Sequence, residues 1–142
     1  MPTRAFDSID AIISVLRTAG LTVVDGPAEI GDYQAMVFVG YDGNPEGDWK
    51  ALDGDQDWAA IGNRSRDERF DVICAALAPY DETIKSGRDA VKALLATVET
   101  TLRANLSLGF DSPYVAGVIP RELFYEDGAA RHVFLVRVMT RV

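Results

Sequence analysis

One cysteine, Cys74, and one histidine, His132, are all this chain of 142 residues has of the two side chains most used for metal centres and nucleophilic sites. A lone thiol excludes any disulfide within the chain, and its place in an apolar run marks it as a buried structural residue. A zinc centre would need two carboxylates at ligand spacing beside that His and Cys, and the spacing offers none. Apolar runs nowhere approach the roughly 20 residues of a membrane span, and the N-terminus carries no charged-then-apolar signal pattern. These absences predict a protein made and kept in the cytosol, with no membrane partner. Asn63 and Asn105 stand in Asn-x-Ser triplets, which carry no implication without secretion. Basic charge is scarce too: 14 Lys and Arg against 22 Asp and Glu give a net charge of −8. Such a surface repels phosphates, which disfavours a protein that grips DNA but not one that DNA merely passes.

Catalytic patterns are missing as well. There is no nucleophile-elbow glycine frame, no phosphate loop and no dinucleotide fingerprint. The acids gather in a glycine-rich stretch instead of a site with matched environments. No catalytic, cofactor-binding or metal-binding residue is assigned, and the chain is predicted not to be an enzyme.

What is present is an ordered alternation of helix and strand patterns in a chain of single-domain length, read as one domain over residues 1–142. Asp7 or Ser8 can cap a first helix whose inward stripe is Ile9, Ile12, Ile13 and Leu16, ending at Gly20. Leu21 to Val24 reads as a short strand or extended exit, and Gln34 to Tyr41 as a firmer strand. From Arg66 to Leu77 the residues alternate, with Glu68, Phe70, Val72, Cys74 and Ala76 on one side. Both sides turn apolar past Asp71, so this strand is expected at the sheet's centre. Ser86 to Gly109 reads as a long amphipathic helix with Val91, Leu94, Leu95, Val98, Thr101 and Leu102 on one face. Tyr114 to Tyr125, limited by Pro120 to an edge or bulge, and Arg131 to Arg141 form a final hairpin around Glu126, Asp127 and Gly128. The sum is an α/β (α+β) sandwich: a largely antiparallel sheet of about five strands packed with two helices.

Two charged regions interrupt this pattern. Between residues 42 and 57, Asp42, Glu46, Asp48, Asp53, Asp55 and Asp57 against Lys50 supply five of the eight net negative charges. Gly43, Gly47 and Gly54 with Pro45 predict a long, flexible, acidic surface loop there, followed by a third strand from Trp58 to Gly62. Asp53, Asp55 and Asp57 alternate like the first ligands of a calcium loop, but Trp58 and Arg64 stand where the sharp-turn glycine and closing glutamate belong. Trp49 and Trp58 serve either as anchors that fold the loop back or as contacts for a partner. The second region is the corner Arg64, Arg66, Asp67, Glu68 and Arg69, either a solvated hairpin end or an interface whose paired charges fix a neighbour's register. Arg131, Arg137 and Arg141 add a stripe on the last strand. His132, on the strand's other face, reads as a strand-end surface residue.

Taken together, the run Arg64 to Val72 (RSRDERFDV), the helix from Asp89 into Asn105, Leu106, Ser107, Leu108 and Gly109, and the final hairpin of Gly128, Val133, Leu135, Arg137 and Arg141 resemble the tail terminator proteins of long, non-contractile-tailed bacteriophages. The resemblance implies a structural virion subunit at the head-proximal end of the tail, assembled in the host cytoplasm. It forms a hexameric ring on the last ring of the major tail tube protein, stops tube polymerisation, and presents the surface that meets the head-completion or stopper protein of the neck. Genome DNA passes the lumen without specific binding. A closed ring needs heterologous interfaces. The expected interface residues are Arg64, Arg66, Asp67, Glu68, Arg69, Arg131, Arg137 and Arg141. The expected lumen- or tube-facing loop carries Asp42, Glu46, Asp48, Trp49, Asp53, Asp55 and Asp57. Two other readings compete: another neck or head-completion connector of the same virion, and a cytosolic small-ligand-binding protein or enzyme with an apolar pocket.

Overall fold

The computed structural model of the chain describes residues 5–27, 34–47, 49–58, 66–80, 83–108, 114–126 and 128–141. The elements run α1 (Ala5–Thr18), β1 (Val23–Asp25), β2 (Met36–Val39), β3 (Leu52–Trp58), β4 (Arg66–Pro79), α2 (Ile84–Arg103), β5 (Tyr114–Glu126) and β6 (Ala129–Arg141). The fold is α+β, with a mostly antiparallel sheet of six strands where about five were expected. The sheet order is β1-β2-β4-β6-β5, and only β1 and β2 run parallel.

The expectation of a central strand holds for β4. Its one flank pairs with β6 from Asp67 to Pro79, and its other flank is shared end to end by β2, opposite Cys74 to Leu77, and β3, opposite Arg66 to Val72. Side chains alternate as the pattern predicts. Phe70, Val72, Cys74, Ala76 and Ala78 face the helices with Phe134, Val136 and Val138 of β6. Against them lie Ile12, Ile13 and Leu16 of α1 and Val91, Leu95, Val98 and Leu102 of α2, all buried. Steps of three and four between those helix residues put one stripe on the sheet, and Gly87 of the same stripe sits against Tyr80. No helix of the described residues is long and apolar enough to cross a membrane.

Helix boundaries differ from expectation for local reasons. The first helix already includes Ala5, and Ser8 is buried within its body instead of capping it. The cap of α2 is Thr83, three residues before the expected start: its hydroxyl accepts the Ser86 N–H at 3.2 Å, and the Ser86 hydroxyl donates to the Thr83 carbonyl. The same helix closes at Arg103, followed by turns through Leu108, which is buried at φ +50°. The expected stop at Gly109 lies outside the described residues.

The largest correction concerns the acidic stretch. Residues 52–58 are not loop but β3, in register with β4 from Leu52↔Val72 to Trp58↔Arg66. Gly54 reads as a loop-maker in sequence, yet here it permits a close approach. A Cβ on it would fall 2.5 Å from Cβ of Phe70 and 2.7 Å from the Arg69 carbonyl oxygen. The third strand thus ends at Trp58, where it was expected to begin, and residues 59–62 lie outside the described residues. Since Val39 faces Cys74 and Leu52 faces Val72, residues 40–51 form a twelve-residue insertion opposite the single β4 residue Ile73. Ile73 remains fully hydrogen-bonded. Its carbonyl accepts from Gly40 and Tyr41 N–H, at 2.7 and 3.0 Å, and its N–H donates to the Ala51 carbonyl at 2.9 Å.

Burial in this two-layer core pushes the Cys74 thiol up to about 12. Because the folded value is raised, the contribution to stability is complete at neutral pH and is lost as pH climbs from the ordinary thiol range toward that value. Cys74 is therefore expected to stay unreactive toward Ellman's reagent at pH 8 and to react fully only on unfolding in denaturant. Stoichiometric labelling of the native protein within minutes would contradict this burial.

Candidate functional site

Both helices cover one face of the sheet, so the other face is left to the 40–51 insertion. Alternation along β6 sends Ala129, Arg131, Val133, Leu135 and Arg137 to that face. Near the hairpin tip, Tyr41 folds onto Phe38, with ring centroids 5.4 Å apart and edge-on, and joins Met36, Ala75, Leu77 and Ala129 in a second apolar cluster. Burial raises the Tyr41 hydroxyl above its ordinary value, Asp42 adds to the effect, and Arg131 opposes it.

Arg131 fastens this arrangement. Only 3% exposed, it donates from one guanidinium nitrogen to the Asp42 carbonyl and from another to Glu126 Oε1 at 3.0 Å, while its guanidinium carbon lies 4.4 Å from the Phe124 ring centroid. One residue therefore ties the insertion to both strands of the hairpin. Gly43 is required beside it: it takes φ +81°, and a Cβ there would stand 2.6 Å from Cδ of Arg131. The insertion is further ordered by its own side chains. Asp42 Oδ1 accepts the Asn44 N–H, Asn44 Oδ1 accepts the Glu46 N–H, and the Trp49 indole donates to the Pro45 carbonyl at 3.0 Å.

Farther along the same face, Arg137 grips Asp71 with two hydrogen bonds, 2.8 and 3.1 Å, and that carboxylate holds the guanidinium above its ordinary value. Asp71 stands opposite Asp53 across the β3–β4 ladder, and Lys50 pairs with Asp53 at 3.1 Å. Between the insertion and the strands lies an open groove of about 490 Å³, with Ile73, Val133 and Leu135 as its apolar floor and Asp42, Lys50 and Arg121 among its polar walls. A second groove, about 420 Å³, lies on the helix side where β5 and β6 extend past α2. Val91, Leu95, Ala96 and Leu123 line it, and Arg88, Lys92, Glu99 and His132 rim it.

The sequence-predicted residues sort as follows. β4 and β6 bring the charged corner and the final arginine stripe together, through the pairs Asp67↔Arg141, Arg69↔Met139 and Asp71↔Arg137. Arg69 is exposed and Glu68 is buried. Arg131, grouped with that stripe in sequence, is instead held inside the subunit, at the other end of β6. Among the acids, Asp42 and Glu46 belong to the insertion, while Asp53, Asp55 and Asp57 lie on β3. Trp49 is 55% exposed at φ +57°, unlike a buried anchor. Arg64 and Asp48 lie outside the described residues, and Arg66, Asp67, Asp55, Asp57 and Arg141 are placed by strand register alone. His132 is half-buried, within 3.3 Å of the Arg121 carbonyl, and not free at the strand end. Among the described residues no cluster of three or more His, Cys, Asp or Glu is arranged to hold a metal ion. Sequence reasoning missed the clamp role of Arg131. The available signal was an arginine sharing a strand face with Val133 and Leu135 beside a tight turn.

Arg131→Met should lower stability by about 2 kcal/mol, because Glu126 stays half-solvated while the Asp42 carbonyl loses its donor. Gly43→Ala should lower it by a similar ~2 kcal/mol, from the left-handed backbone and the close contact together. Chemical denaturation checks both, and the double variant should lose less than the sum because the two residues touch. Arg137→Ala should lower stability by stranding Asp71 opposite Asp53, and adding Asp53→Asn should recover part of the loss. A coupling energy near zero in that cycle would show that the two carboxylates do not sense each other. No protein-family profile matches the chain, and no curated protein is significantly similar to it.

Proposed function

We propose that this chain is a ring-forming subunit of the tail-terminator kind, which caps the tube of a long, non-contractile phage tail, halts its growth and offers the surface that joins the head. The observation that carries this reading is that β5 on one side of the sheet, and β3 and β1 on the other, are unlike outer strands. On one side β5 exposes Leu123, Phe124 and Tyr125 and is paired only with β6. On the other, β3 is paired only with β4 and carries Asp53, Asp55 and Asp57. An edge that pairs with its own copy gives a two-fold dimer, whereas one edge set against the other, unlike one gives head-to-tail contacts that can close into a ring. The Arg137–Asp71 ion pair stiffens the strands next to the acidic edge, and the net charge of −8 lets DNA slide past without being held. The resemblance of the corner, the long helix and the final hairpin to terminators supplies the assignment to a tail.

Removing this gene from the phage should leave heads filled but tails of uncontrolled, excessive length, seen by negative-stain microscopy of the lysate. Adding back the purified protein should stop growth of tubes assembled in vitro. Tails of normal length in its absence would refute the terminator role. Heads that leak DNA beside normal tails would move the protein to a neck connector.

A further inference from the structure

Among the described residues none fills the groove between α2 and the β5–β6 hairpin, and its chemistry is specific. Its walls, Val91, Leu95, Ala96 and Leu123, are apolar, and its volume of about 420 Å³ is ample for one large aromatic side chain. Its rim is mainly basic, with Arg88 and Lys92 against Glu99. Arg88 is steadied by the Tyr125 hydroxyl at 3.2 Å. The whole of α2 carries Lys85, Arg88, Lys92 and Arg103 against Asp89 and Glu99, a positive element in a strongly acidic chain.

The insertion on the other face of the sheet carries the complement. Trp49 is 55% exposed in a left-handed conformation that a bulky residue rarely takes, and its indole N–H is held by the Pro45 carbonyl. Strain at an exposed aromatic residue marks a side chain held for contact and not for the core. Around it the sequence is acidic, from Glu46 and Asp48 to Asp53, Asp55 and Asp57. A basic-rimmed apolar groove on the helix side and an exposed tryptophan in an acidic segment of the insertion, on the other face of the sheet, are placed to meet between copies.

We propose that the α2/β5–β6 groove of each subunit receives Trp49 of its neighbour, with the acids flanking that tryptophan set against Arg88 and Lys92. The inference rests on the head-to-tail association proposed above, and it assigns Trp49 to the seam between subunits instead of the lumen. Opposite charges then predominate around the seam, with Glu99 and Lys50 the exceptions, and the indole loses its water in an apolar pocket, the arrangement that concentrates binding energy in one residue.

The test is a disulfide ladder in the full chain, in which buried Cys74 is a silent background. The double variant Trp49→Cys with Ala96→Cys, oxidised mildly, should give reductant-sensitive bands running up to a hexamer. The two single variants mixed together should stop at dimers, the mark of one groove and one tryptophan per contact. Trp49→Cys with Leu123→Cys repeats the test should the change at Ala96 disturb the helix. Rings of full mass by light scattering without any ladder from either pair would overturn the groove contact and leave the ring standing. A ladder from a protein that does not stop tube growth would uphold the contact and refute the tail role. An unaltered chain that stays monomeric at every concentration, tubes present, would refute both.

Discussion

A guanidinium taken out of water has to be met by partners, and Arg131 meets its partners by pulling three separate pieces of chain together. The Asp42 carbonyl belongs to the insertion, Glu126 and Phe124 to β5, and Arg131 itself to β6. Without that clamp the helix-free face would expose Phe38, Tyr41, Ala75 and Leu77, since no helix lies over them. The interaction is worth little as an ion pair alone, because Glu126 keeps about half its contact with solvent. Its value is geometric. It fixes where a twelve-residue excursion must sit, and so it fixes the groove beneath the excursion and the exposed position of Trp49 at its far end.

That excursion explains which parts of the fold were legible in sequence. The stripe from Val91 to Leu102 and the alternation from Phe70 to Ala76 follow from the two periods of helix and strand, so the core could be read directly. β3 could not. Its residues, Leu52 to Trp58, hold three acids and a glycine in seven, a composition that favours loop on propensity alone. What makes them a strand is the neighbour: β4 is fourteen residues long, β2 covers only four of them, and the exposed remainder of its flank is a template for any segment that can lie flat against it. Gly54 allows that contact by leaving room for Phe70. The pairing is tertiary in origin, and period and propensity carry no trace of it.

The same reasoning separates the arginines. In sequence Arg131, Arg137 and Arg141 form one stripe, because they share a strand face. In three dimensions their surroundings differ, since β6 crosses from the hairpin tip, where Tyr41 and Phe124 close over the sheet, to an end where the sheet is charged on both sides of β4. Arg131 is buried as a clamp, and Arg137 neutralises one of two facing carboxylates. A charge stripe read by period alone cannot distinguish holding the subunit together from meeting another one.

Head-to-tail association through open sheet edges carries a hazard, for the geometry that closes a ring can also extend without limit as a fibre. The outcome depends on the rotation between successive copies. β5 is not a flat edge: its pairing with β6 slips between Val115 and Gly117 and again between Pro120 and Leu123. Each irregularity increases local twist and interrupts the row of backbone groups a neighbour would need for continuous pairing. Pro120 removes one donor from that row outright. In the proposed ring a neighbour set against β5 would be held by side chains more than by a continuous ladder.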